Sequence, residues 1–230
     1  MGCTIRKVVS RGEGVALMDD EQHACDILEA VIGAVDLPVT VKLRTGFSRK
    51  KTNVLSLSRK LVDVGAVALT VHGRSGEKKF SSKVDLDVIS GVVRSVSTPV
   101  IANGGIFRGE DAEKVLSATG AAGVMPGRGL IGNPWLVPEI LCRFSGKKFL
   151  PPDISEKKNV CKRHAKELCD FYGERRGVLL MRKILPRYFP STVHIKELKD
   201  DVRSITKQGD VSVLLDRIVE RGSQWCYVRE

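Results

Sequence analysis

Four short apolar runs, each closing on a polar or basic residue and glycine, recur at roughly 25–30 residues, the length of a βα unit. They are Val39 to Leu43, with Lys42 near its end and Arg44 and Gly46 beyond it; Val67 to Val71, followed by His72, Gly73 and Arg74; Pro99 to Ala102, followed by Asn103, Gly104 and Gly105; and Ala121 to Met125, followed by Gly127, Arg128 and Gly129. No close sequence repeat accompanies them, so the recurrence is architectural. Helix-like stretches separate the runs, and the order strand, loop, helix, strand predicts a parallel α/β sheet. Such sheets, like (β/α)8 barrels, carry their ligand loops past the C-terminal ends of the strands. A buried parallel strand is expected to stay apolar, so Lys42, His72, Asn103 and Arg128 at four strand ends read together as a ligand site. Glycines let backbone approach a ligand, and exposed N–H groups beside a cation commonly hold phosphate. Either glycine loop alone is equally well explained as a turn; the fourfold recurrence favours a site.

Between the strands the pattern predicts helices at Asp20 to about Val35, at a segment capped by Ser48 and ended by Gly65, at about Asp85 to Val96, and at Glu110 to Thr119. The opening segment MGCTIRKVVSRGEGVALM reads as a glycine-containing loop of the kind that follows a strand. Beyond Trp135 no further strand ends in glycine, and Pro151 and Pro152 look like a boundary. Helices are expected at about Ser155 to Gly173, Gly177 to Tyr188, Val193 to Thr206 and Asp210 to Glu220, with Pro186 kinking or ending the second. The expected division is residues 1–150 and 151–230, the second a small helical bundle.

The 230 residues carry 38 Lys+Arg against 27 Asp+Glu, a net charge of +11. Between Arg143 and Arg187 there are 13 Lys+Arg and 5 Asp+Glu, so most of the excess (13 minus 5, or +8) lies in one segment. Arg176, Lys183 and Arg187 recur there at helical spacing, with Leu179, Leu180 and Ile184 expected on other faces. A local surplus of this kind points to a polyanion, and nucleic acid is favoured over membrane because no strongly apolar face accompanies it; a solvated helical surface is the alternative. No apolar run is long enough to span a bilayer and no signal-like segment follows Met1, which predicts a cytoplasmic protein. The six cysteines (Cys3, Cys25, Cys142, Cys161, Cys169 and Cys226) contain no CxxC, so neither a metal site nor a disulfide framework is expected.

Taken in order, MGCTIRKVVSRGEGVALM, PVTVKLRTGF, VGAVALTVHGR, PVIANGGIF, GAAGVMPGRGLIGNPWL and HAKELCDFYGERRGVLLMRK resemble the tRNA-dihydrouridine synthases over nearly the whole chain. The resemblance implies a flavoenzyme with an FMN-binding TIM barrel and a C-terminal helical domain that grips tRNA. On that footing residues 1–150 would be the last four strands of the barrel, the flavin-binding part, and residues 151–230 the tRNA-binding domain. The reaction implied is reduction of the 5,6 double bond of uridine in tRNA, with NADPH recharging the flavin. Cys3 matches the general acid that protonates C5 of the uracil. Lys42 matches the lysine at the flavin ring, and His72 the histidine near cofactor and base. Asn103, Gly104 and Gly105 match the loop at the phosphate and ribityl end of FMN, and Gly127 and Arg128 the second phosphate loop. Arg44 and Arg74 are further pocket cations, and His164, Arg182 and Lys183 match the tRNA-facing surface, to which the basic spacing adds Arg176 and Arg187.

The chain departs from the family pattern at Thr4, where proline is usual, at Gly105, where an acidic residue is usual, and at Gly76, Leu86 and Pro126. Matching the motifs also puts Met1 just before the catalytic cysteine, after what would be the fourth strand. Four strands do not close an eight-stranded barrel, so the expectation is a fragment or truncated product whose upstream half-barrel is encoded elsewhere or lost; the alternative is a chain that dimerises to cover itself. A tRNA-binding remnant without chemistry and another enzyme of phosphate-bearing ligands are the alternatives.

Overall fold

The computed structural model describes residues 1–48, 51–77, 82–190 and 195–225. The chain divides into two compact units, Met1–Arg128 and Gly129–Glu230.

In the first unit a short helix α1 (Arg6–Val9) and a 3-10 turn (Gly14–Asp19) precede α2 (Glu21–Ala34). Then come β1 (Thr40–Arg44), α3 (Val54–Val64), β2 (Ala68–His72), α4 (Leu86–Ser95), β3 (Val100–Asn103), α5 (Gly109–Thr119) and β4 (Gly123–Met125). The strands form one four-stranded sheet in the order β1-β2-β3-β4, with every pairing parallel. The parallel α/β reading of the sequence therefore holds at this level.

Strand side chains alternate between faces, and this alternation sorts the sheet chemically. Val41, Leu43, Leu69, Val71, Val100 and Ala102 are buried, as are Leu57, Leu61, Ile89, Val92, Ala112 and Val115 of the connecting helices. The intervening positions fall in register as Lys42 beside Thr70 and Ile101, and as Arg44 beside His72 and Asn103. One face is thus an apolar helix-packing layer, while the other becomes polar toward the C-terminal ends of the strands.

Helix starts follow side-chain caps where the sequence supplies them. The Asp20 carboxylate accepts the His23 N–H at 3.0 Å and the Asp85 carboxylate accepts the Val88 N–H at 3.1 Å. Ser48 is not the cap of α3: its hydroxyl accepts the Lys51 N–H at 3.2 Å, and Asn53 holds the N-cap position. The Asn53 amide donates instead to the Met18 carbonyl at 2.7 Å and to Glu21 at 2.8 Å. Glu21 also pairs with Lys60 at 2.8 Å, joining α2 to α3.

In the second unit the described residues form α6 (Leu136–Phe144), α7 (Ile154–Tyr172), α8 (Glu174–Ile184), a 3-10 turn (Leu185–Arg187), α9 (Ile195–Ser204) and α10 (Gln208–Trp225). The sequence reading did not include α6, whose Pro138 falls in the first turn, where a missing N–H leaves no helical bond unmade. Pro186 ends the α-helical part of α8, as expected. The expected helix from Val193 begins outside the described residues, as does Cys226; the five described cysteines are free thiols. Among the described residues no helix is long and apolar enough to cross a membrane.

The core of this unit gathers Cys161, Ala165 and Cys169 of α7, Val178 and Met181 of α8, Leu185, Phe189, and Leu215 and Ile218 of α10. A single residue, Gly173 at φ 80°, turns the chain from α7 into α8, a conformation that favours glycine. Four residues on, a Cβ at Gly177 would lie 2.6 Å from the Cys169 backbone. The two helices meet there at a distance that only glycine permits. Gly177→Ala is therefore expected to destabilise the chain by about 1–3 kcal/mol through overpacking, read as a lowered thermal unfolding midpoint; an unchanged midpoint would show that the hairpin can open at no cost.

Candidate functional site

The polar face of the sheet ends in a cleft of about 250 Å³ lined by Lys42, Arg44, His72, Arg74, Asn103, Gly104, Gly105, Ile106, Phe107, Gly127 and Arg128. Each strand delivers its group differently. Lys42 is central in β1 rather than at its end, and its ammonium donates to the Asn103 Oδ1 at 3.0 Å. Asn103, the last residue of β3, donates through Nδ2 to the Met125 carbonyl at 2.6 Å. This is the amide orientation that lysine, which only donates, and a carbonyl, which only accepts, require. Arg128 lies three residues beyond β4, in a 3-10 turn, with its guanidinium carbon 5.5 Å from the Phe107 ring centroid. The sequence reading missed Phe107; the signal available was an aromatic two residues after the glycine pair.

Arg44 and Arg74 build the walls. Arg44 is 5% exposed, and it donates to the Gly2 carbonyl at 2.8 Å and to the Ser75 carbonyl at 3.1 Å. It thereby fastens the Cys3 segment to the β2 loop. Arg74 donates to the Ser82 carbonyl at 2.7 Å, and its Nη1 lies 3.2 Å from His72 Nε2. A guanidinium offers only donors, so Nε2 accepts and the imidazole proton sits on Nδ1. Burial, then Arg44, Lys42, Arg74 and Arg128, lower the His72 pKa to about 3. His72 is consequently neutral at physiological pH. Burial and the neighbouring arginines also lower the pKa values of Lys42, Arg44 and Arg74. Among the described residues no carboxylate lines the cleft, so its cations repel one another and an anion placed among them would relieve that repulsion.

The glycine loop leaves room for such an anion. Gly104 has φ 113°, and a Cβ there would lie 2.8 Å from the His72 ring. Gly105 has φ 77°. A Cβ at Gly127 would meet nothing within 4 Å, so its lack of a side chain keeps the mouth of the cleft open. The Asp111 carboxylate of α5 accepts the N–H groups of Phe107 at 2.9 Å and Arg108 at 3.0 Å, fixing how the loop leaves the cleft. Residues and space together fit a phosphate-bearing ligand.

Cys3 is exposed and is not among the lining residues of the cleft. Its carbonyl accepts the Val15 N–H at 2.9 Å, and a Cβ at Gly14 would lie 2.6 Å from that oxygen. Gly2 and Gly14 thus hold the segment from either side. Among the described residues no group of three His, Cys, Asp or Glu side chains is placed to hold a metal ion.

The basic residues of the helical unit fall into two kinds. Arg176, Lys183 and Arg187 are exposed, and Leu179, expected on another face, lies between Arg176 and Lys183 on theirs, 46% exposed. Arg182, by contrast, donates through Nε at 2.9 Å and through Nη2 to the Ile205 carbonyl just past α9, a cation stabilising a helix C-terminus. His164 Nδ1 lies 2.9 Å from the Tyr188 hydroxyl, and Tyr188 packs edge-on against Trp135.

The family model for dihydrouridine synthase matches residues 1–221. The tRNA-dihydrouridine synthase B of Pseudomonas syringae pv. tomato is 36% identical over 231 aligned residues, covering 100% of this chain and 65% of that protein. The tRNA-dihydrouridine synthase B of Shewanella oneidensis is 38% identical over 189 residues, covering 82% of this chain and 59% of its own length. A probable tRNA-dihydrouridine synthase of Rickettsia conorii is 40% identical over 188 residues, covering 81% and 57%. The chain spans between 57% and 65% of the length of these curated relatives. With the family match extending over residues 1–221 of 230, the chain belongs to the dihydrouridine synthase family.

Proposed function

We propose that this chain carries the flavin-phosphate, proton-donor and RNA-binding parts of a cytoplasmic tRNA-dihydrouridine synthase, which reduces the 5,6 double bond of uridine in tRNA. The observation that carries this reading is the cleft at the strand ends, cationic, without a carboxylate among its described lining residues, and opened by glycines. In this reading residues 1–150 are the last four strands of an FMN-binding TIM barrel and residues 151–230 a helical tRNA-binding domain.

Asn103, Gly104, Gly105, Gly127 and Arg128 would hold the phosphate end of FMN, with Lys42 and His72 toward its ring. When bound and reduced by NADPH, FMN supplies hydride to C6 of the uracil. Cys3 supplies the proton at C5, so hydride and proton together saturate the double bond. This requires the thiol within hydrogen-bond reach of that carbon, a demand of geometry before acidity. Neutral His72 adds no charge to a cleft lined by four cationic side chains. His164, Arg176, Arg182, Lys183 and Arg187 would form the tRNA-facing surface, Arg182 by holding α9 as well as by its charge. The target uracil must leave its stack to be reduced, and a basic surface that grips the surrounding phosphates offsets that cost.

Arg128→Ala should weaken FMN retention by about 1.5–3 kcal/mol, the value of a charge-assisted contact, measured by flavin fluorescence titration; unchanged affinity would remove Arg128 from the phosphate site. Inorganic phosphate should raise the His72 pKa from its depressed value, because an anion among the surrounding cations favours the imidazolium. That shift would be followed through the imidazole NMR signals, and a pKa indifferent to phosphate would place the anion elsewhere. In the flavin-loaded enzyme, Cys3→Ala should keep flavin reduction by NADPH and lose dihydrouridine formation. Product at the wild-type rate would mean that another group gives the proton.

A further inference from the structure

The corner between α7 and α8 exposes aromatic surface that the fold does not use. Phe171 is 80% exposed and Tyr172 42%, with ring centroids 4.7 Å apart at 76°. The Arg176 guanidinium carbon lies 5.0 Å from the Tyr172 centroid. Arg175 and Arg176, both exposed, line a shallow cleft here with Tyr172, Gly173, Glu174 and Leu179. Glu174 is the acidic member of that lining, and its carboxylate is engaged by the Gln208 N–H at 2.9 Å, at the start of α10. The corner is preorganised, because Gly173 makes the turn in one residue and Gly177 locks the helices together.

We infer that this corner is a stacking platform for an unpaired base of RNA. Phe171 offers an open ring, Tyr172 braces it edge-on, and Arg176, fixed over Tyr172, reaches flanking phosphates together with Arg175. An aromatic platform rimmed by arginines recognises single-stranded nucleic acid, since every base has a π-face and every linkage a phosphate. Arginine serves both contacts, through its planar face and its fork of donors. The charge of the surroundings selects this occupant. The segment from Arg143 to Arg187 carries 13 Lys+Arg against 5 Asp+Glu, and a second copy seated here would set one arginine pair against another. The inference rests on the RNA reading above and deepens it, by naming an unpaired nucleotide as the element that this corner takes.

The test uses the full chain and a short single-stranded oligoribonucleotide carrying one 2-aminopurine, with tRNA measured alongside. Wild-type protein should quench the 2-aminopurine on binding. Phe171→Ala should weaken binding about 5- to 150-fold and abolish the quench while leaving the salt dependence unchanged, and Phe171→Trp should restore both. Arg176→Ala should instead flatten the salt slope by about 0.7. Because Phe171 is exposed, these variants should keep the wild-type unfolding midpoint, and that check separates loss of stacking from loss of fold. Wild-type affinity and quench in Phe171→Ala overturn the platform and leave the wider RNA reading standing. No binding of either RNA by the wild-type chain overturns both, whereas flavin retention reports on the sheet cleft independently. Self-association that disappears in Phe171→Ala while RNA binding persists would make a second copy the occupant and overturn the inference.

Discussion

A single side-chain amide ties three strands together at the place where chemistry is possible. Asn103, on β3, accepts from Lys42 of β1 at 3.0 Å and donates to the Met125 carbonyl of β4 at 2.6 Å. The first contact holds a partly desolvated ammonium at the cleft, and the second satisfies the last carbonyl of a strand only three residues long. An aspartate would bind the lysine but repel the carbonyl, and a leucine would leave both unmet. The site therefore depends on an amide at this position in a way that it does not depend on any one cation. Arg44 and Arg74 complete the frame by donating to the carbonyls of Gly2, Ser75 and Ser82, so that these donors serve architecture while the charge remains to shape the cleft.

The sheet was largely legible in the sequence because each strand closes with residues that a buried parallel strand does not need. His72 and Asn103, after apolar runs, announce a change of environment at the strand exit. What remained hidden depended on partners remote in the chain. Asn53 caps nothing with its side chain because Met18 and Glu21, more than thirty positions earlier, orient its amide by accepting from Nδ2, and its Oδ1, the atom a cap would use, makes no bond to the helix N–H groups. Phe107 joins the cleft through a cation–π contact with Arg128 that sequence spacing does not encode. The α6 helix was not anticipated, although Pro138 in its first turn is tolerated.

Legibility was lower in the helical unit. A count of basic residues treats Arg182 and Lys183 as equivalents, yet one side chain is engaged at the Ile205 carbonyl beyond α9 and the other is exposed. Removing Arg182 would therefore disturb the junction after α9 as well as the surface charge, and a loss of RNA binding in that variant alone would be ambiguous. The rows of exposed residues are set by the α7–α8 hairpin, and its close approach is written in two glycines four residues apart, Gly173 and Gly177. Leu179, expected on a different face from Arg176 and Lys183, is exposed between them, while Val178 and Met181 are the α8 residues buried in the core.

The hydrogen bond between Arg74 and His72 has a consequence for the charge of the site. With Nε2 accepting a guanidinium N–H, protonating the ring would set hydrogen against hydrogen, so the imidazole resists taking up a charge of its own. Reversing the tautomer would break the same bond, and Arg74 also secures Ser82 in the following loop. The neutrality of one ring is thus guarded by the conformation of a whole connection.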